Sequence, residues 1–304
     1  MLKKTKFFGF AFLIFINFLF AEKQTFSVES FIITANKEHK KYLEETFVKV
    51  NDRIDIFMRK TGRYPDYTIK VIVSGTKEEY KNYLTELKLI PEYSSAFFNQ
   101  KTKKIYLAPL ESYKDQAELV KVIHHEFIHY YVALYFPDAP LWFHEGMAVY
   151  FSEGLSFFRI SALTSKRILG RDITINKIKS YPANKDILDY YYSLSAYAVQ
   201  ELYNKHTENF FKFWDNAPGK FNTVFLKTYM ETPGDFSQRI EKSMDRRLPW
   251  FLLSFFIGAG SIVYPLLFLF AHLKKIYKNK NIQKNWEKEE VFKQNLIVSR
   301  KKLK

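Results

Sequence analysis

His125-Glu126-Phe127-Ile128-His129 is an HExxH run, and its residue types at that spacing suggest one chemistry before anything else is read. Two histidines four apart on a helix sit about 40° from eclipsed and roughly 6 Å apart along the axis, so both imidazoles can reach one metal ion. Two neutral imidazoles and a carboxylate suit Zn²⁺, and three protein ligands leave a fourth position for water. Glu126 flanks the pair and is the candidate general base. A third ligand must come from elsewhere in the chain. The metzincin continuation HExxHxxGxxH is excluded, because Val132 and Tyr135 stand where its glycine and third histidine would be.

Downstream, Pro140-Leu141-Trp142-Phe143-His144-Glu145-Gly146-Met147-Ala148 reads as a second helix opening at a proline. Its small residues, Gly146 and Ala148, permit a close helix approach. Glu145, His144 and Asp138 are the available third ligands. Adjacent helical residues point about 100° apart, so only one of His144 and Glu145 can face the metal. His124 has no histidine four residues on and reads as a neighbour.

HExxH followed by WxxEGxA, here Trp142, Glu145, Gly146 and Ala148, resembles the gluzincin-type zinc metallopeptidases of the peptidase MA-like superfamily, relatives of the thermolysin and M1 aminopeptidase catalytic domains. The resemblance covers residues 26–247, closely at the core motif and loosely elsewhere. It implies one zinc per chain held by His125, His129 and Glu145, with Glu126 as catalytic base. It also implies an α+β zincin domain: a small N-terminal mixed sheet, the HExxH helix and a helical C-terminal part. In that family a YxxSxxxVxxL helix follows the ligands, and Tyr192, Ser195, Val199 and Leu202 match it. Tyr192 is the candidate for stabilising the oxyanion, with Tyr190, Tyr191 and Tyr197 as alternatives. The GxMxN-type motif by which M1 enzymes anchor a free amine does not occur, which favours an endopeptidase. The alternatives are a non-catalytic zinc-fold scaffold of the cell envelope and a zinc hydrolase of a cell-wall amide.

The elements that would position these residues follow from periodicity. Residues 25–36 read as one or two strands, and 37–61 as a helix with Leu43, Phe47, Val50, Ile54 and Phe57 on one face. Ile69, Val71 and Val73 alternate in a strand at 67–73, and 76–89 is a helix with Thr76 as N-cap. Residues 95–109 form a hairpin turning near 99–102; the resemblance implies that one arm is an edge strand above the zinc, able to bind an extended substrate. The zinc helix spans 115–135. Residues 153–169 read as mainly helical, 170–187 as a loop and 189–206 as a helix. Two or three more helices up to Arg247 are separated at Pro218-Gly219 and Pro233-Gly234.

The ends carry most of the formal charge of +15: residues 274–304 hold +8, and Lys3, Lys4 and Lys6 add +3. A basic groove for nucleic acid is therefore not indicated. Residues 1–21 read as a signal peptide ending Leu19-Phe20-Ala21. Residues 22–248 form one extracytoplasmic domain without cysteine. Residues 249–273 form a single membrane span, its uncharged run from Trp250 to Leu273 about 36 Å long as a helix. Lysines 274, 275, 278 and 280 follow at once, so 274–304 is a cytoplasmic tail. The expected whole is a cytoplasmic-membrane enzyme with a peptide or protein substrate outside.

Overall fold

The computed structural model describes residues 22–87, 94–168, 174–175, 178–182 and 184–302, with backbone alone at 157–158, 166, 168, 247–248, 250–252, 254–262, 285, 287 and 289–302. The expected signal segment lies outside the described residues. The chain divides into two compact units, up to Met244 and Asp245–Lys304.

The first unit is α+β, with a small mixed sheet followed by helices. β1 (Lys23–Val28) and β2 (Phe31–Asn36) pair antiparallel, so the run read as one strand or two is two, reversing at Glu29 with φ 48°. Helix α1 (Lys40–Thr61) buries Leu43, Phe47, Val50, Ile54 and Phe57, the apolar stripe of the sequence. Gly62 ends it in the left-handed conformation, φ 75°, where its N–H reaches the Met58 carbonyl at 2.8 Å. β3 (Ile69–Val73) then pairs parallel with β2, burying Ile69, Val71 and Val73. Helix α2 (Lys77–Leu87) starts at Thr76, whose hydroxyl accepts from Glu79 N–H at 3.1 Å; residues 88–89 of the expected helix lie outside the described residues.

β4 (Ala96–Asn99) and β5 (Lys104–Leu107) make the expected hairpin. The Asn99 side chain accepts from the N–H groups of Lys101 at 2.9 Å and Thr102 at 3.2 Å, which fixes the turn. β5 pairs parallel with β3, so the order β1-β2-β3-β5-β4 leaves β4 at an edge. The Tyr113 hydroxyl donates to the Ser95 carbonyl at 2.5 Å and holds the start of that edge in place.

Helix α3 (Gln116–Tyr135) packs on α1 and on the hairpin, and α4 (Leu141–Ser152) packs on α3. Helix α5 (Phe157–Ile168) begins four residues later than the residue pattern predicts, because Gly154 takes φ 75° and breaks the chain direction after α4. Helix α6 (Lys185–Lys205) begins four residues earlier: Asn184 accepts from the N–H groups of Asp186 and Ile187, and a capping side chain of that kind sets a start that apolar spacing does not show. Helices α7 (Thr207–Asp215) and α8 (Phe221–Tyr229) end the layer. The helix boundary expected at Pro233-Gly234 is present: α8 ends at Tyr229 and Pro233 is the first residue of the next helix, with the Thr232 hydroxyl accepting from Asp235 N–H at 3.1 Å.

That helix, α9 (Pro233–Lys302), carries Pro249 and Pro265 in its interior. Among the described residues no helix is long and apolar enough to cross a membrane. The expected span at 249–273 lies in α9, and most side chains of its first half are outside the described residues. The described remainder, from Val263 to Phe270, is a run of exposed large apolar side chains.

Candidate metal centre

Helix α3 is fixed at its N-terminus by a reciprocal cap. Asp115 Oδ1 accepts from Glu118 N–H at 2.8 Å, and Glu118 Oε2 accepts from Lys114 N–H at 2.6 Å. Leu119, Ile123, Phe127 and Ile128 are wholly buried and set the rotation of the helix. That rotation turns His125 and His129 to one side, with their Nε2 atoms 3.2 Å apart. His124 turns the other way into the core, edge-on to Phe57, and burial pushes its pKa down to about 3.

Helix α4 brings Glu145 to the same point. Its carboxylate is 1 % exposed, with Oε1 3.6 Å from His129 Nε2 and Oε2 3.8 Å from His125 Nε2. The placement depends on Gly146. A Cβ there would stand 2.4 Å from the Ser195 carbonyl oxygen and 2.7 Å from Val199 on α6, so α4 and α6 touch backbone to backbone. The small residue of WxxEGxA thus serves contact with α6, the helix carrying Ser195 and Val199, rather than contact with α3.

The donor set fits a divalent metal ion. His125, Glu126 and His129 each offer one ligand atom, all within 4.8 Å of one another. Glu145 meets both imidazoles more closely than that limit, through a different oxygen for each. Tetrahedral zinc at about 2.0–2.2 Å from its ligands would hold them roughly 3.3–3.6 Å apart; the imidazole nitrogens stand 3.2 Å from each other and 3.6 and 3.8 Å from the nearer Glu145 oxygen, close to that spacing. Glu145 Oε2 is buried without a hydrogen-bond partner, as a ligating oxygen would be. Glu126 differs, because its carboxylate takes a backbone hydrogen bond from Phe98 on β4.

Electrostatics agree with that division. Burial pushes His125 and His144 down to about 4 and His129 well below its usual value, so all three are neutral and able to offer lone pairs. Burial, and then the charge of Glu145, pushes Glu126 up to about 8 against the Phe98 hydrogen bond. Burial pushes Glu145 up to about 7 against a hydrogen bond from Tyr181. Buried carboxylates beside neutral imidazoles gain most from a cation of charge two.

The group opens into a cleft of about 880 Å³ whose lining includes β4, His144, Tyr181 and Tyr192. Of the four tyrosines weighed, Tyr192 lines this cleft, while Tyr190, Tyr191 and Tyr197 are buried in the core. His144 reaches the cleft with its ring 5.9 Å from that of His129. Asp138 is engaged elsewhere: both its oxygens accept from Phe221 N–H, at 3.0 and 3.2 Å, capping α8.

No protein-family model matches this chain, and no curated protein matches it.

Two participants escaped sequence reasoning. Tyr181, in the irregular segment before α6, donates its hydroxyl to Glu145 Oε1 at 2.6 Å. Ser152 Oγ lies 3.4 Å from His125 Nδ1 at the end of α4. Neither belongs to a periodic pattern or a spaced motif, so no local signal marks it.

Proposed function

We propose that this chain is a membrane-anchored zinc metallopeptidase of the gluzincin type, cleaving within extended peptide segments outside the cytoplasmic membrane. The observation that carries the reading is the Glu145 carboxylate, fully buried and turned with one oxygen toward each of the two HExxH imidazoles. A surface acid or a helix-terminus acid needs neither that burial nor that convergence.

His125, His129 and Glu145 would hold the zinc. Bound there, zinc supplies Lewis-acid polarisation of a carbonyl and lowers the pKa of a water to about 7. Glu126 takes the proton of the attacking water at its carboxylate and returns it to the departing amine, a role for which a base in the cleft and off the ligand set is suited. Phe98 N–H orients that carboxylate. The β4 edge would offer backbone groups to an extended chain laid along the cleft. Tyr192, which lines the same cleft, would donate its hydroxyl to the developing oxyanion.

The test is cleavage of a mixed peptide pool by the full chain in detergent, with products read by mass spectrometry. Internal cuts, abolished by chelation, restored by zinc and absent from Glu126→Gln, are expected. Release of single N-terminal residues alone would contradict the endopeptidase reading. Equal activity in Glu126→Gln would contradict the mechanism.

A further inference from the structure

We infer that Tyr181 is a positioning residue that occupies Oε1 of Glu145 and so leaves Oε2 as the single oxygen offered to the metal. The inference rests on the zinc reading and deepens it.

The two oxygens of Glu145 are not equivalent. Oε1 accepts the Tyr181 hydroxyl at 2.6 Å and stands 3.6 Å from His129 Nε2. Oε2 stands 3.8 Å from His125 Nε2 and is buried without a hydrogen-bond partner. A carboxylate between two imidazoles can present one oxygen or both to a cation. A phenol on one of them draws lone-pair density to itself and resists the rotation that would equalise the pair. The remaining oxygen keeps its full basicity for the metal.

Tyr181 is also independent of the elements that carry the ligands. His125 and His129 come from α3 and Glu145 from α4, whereas Tyr181 precedes the Asn184 cap of α6. The Glu145 carboxylate is thus met from a third direction by a donor on a segment that carries none of the proposed ligands. Removing such a partner ordinarily costs about 10–100-fold in metal affinity.

The experiment compares the full chain with its Tyr181→Phe variant, which keeps the ring and deletes the hydroxyl. Zinc affinity is read by competition with a chromophoric chelator, and ligand geometry by the visible absorption of the cobalt-substituted protein. The expected result is zinc binding about 10–100-fold weaker in the variant, with a changed cobalt spectrum and an unchanged melting midpoint of the metal-free protein. Equal affinity and identical spectra overturn the inference while leaving the zinc site standing. No zinc binding by the wild-type chain overturns both. If the metal-free variant melts early, the cobalt spectrum at saturating metal decides: an altered band supports the positioning role, and an unaltered one overturns it.

Discussion

Glu126 and Glu145 show how one residue type is given two tasks by its surroundings. Glu145 has a buried oxygen with no partner and faces both imidazoles, whereas Glu126 is held by the backbone of β4 and opens to the cleft. The proximity of His125, Glu126 and His129 was legible in the sequence, because a spacing of four on a helix fixes it. The approach of Glu145 was expected only through a resemblance, since nothing local says which of His144, Glu145 and Asp138 turns toward the two imidazoles. Asp138 is removed from the choice by Phe221, a residue 83 positions away, and no local reading reaches that far. Tyr181 was illegible for the same reason. Tyr192→Phe should lower kcat by about 10²–10³ with KM little changed, since an oxyanion donor acts in the transition state and not on bound substrate. Steady-state kinetics on one cleaved peptide measure it, and an unchanged kcat would return Tyr192 to a packing role.

Among the elements, the contact between α4 and α6 governs where Glu145 sits. Gly146→Ala puts a methyl group 2.4 Å from the Ser195 carbonyl, and neither backbone can yield cheaply. A loss of about 1–3 kcal/mol of stability is expected, with weaker zinc binding because Glu145 is the adjacent residue. Urea unfolding and chelator competition read the two effects; a variant as stable as wild type would show that the helices separate freely. The contact of helix α2 with β1 offers a pH test. Glu79 is buried enough to raise its pKa, but hydrogen bonds from Lys23, Gly75 N–H and the Tyr83 hydroxyl outweigh this and hold it below 4.5. A carboxyl depressed on folding contributes stability above its unfolded pKa and loses it as pH falls through the folded value. Between about pH 5 and pH 3 the wild-type urea midpoint should therefore fall more steeply than that of Glu79→Gln. Parallel slopes would sink the assignment. The stripe of α1 and the alternation of β3 were legible because burial on one face imposes a period. The helix starts at Lys185 and Phe157 were not, since a capping side chain and a left-handed glycine set them.

For the whole molecule, the charge distribution and the exposed apolar run belong together. Most of the +15 sits at the two ends, and the C-terminal share follows directly on Val263 to Phe270, whose large side chains are exposed in the second unit. A contiguous apolar surface of that kind, followed by lysines, suits lipid with a basic flank in the cytoplasm. The full chain is expected in the membrane fraction, resistant to alkaline carbonate and released by detergent, with added protease reaching the first unit from the outer side. Extraction by carbonate would contradict the span, and protection of the first unit would reverse the orientation.

His125, His129 and Glu145, brought together from two helices, are proposed to hold one zinc, and metal content tests that most directly. Full-length protein purified in detergent and dialysed against metal-free buffer should carry about one zinc per chain by elemental analysis. Glu126→Gln should retain that zinc and Glu145→Ala should lose most of it. A folded wild-type chain without zinc, or a Glu145→Ala variant that holds it as tightly, would contradict the site.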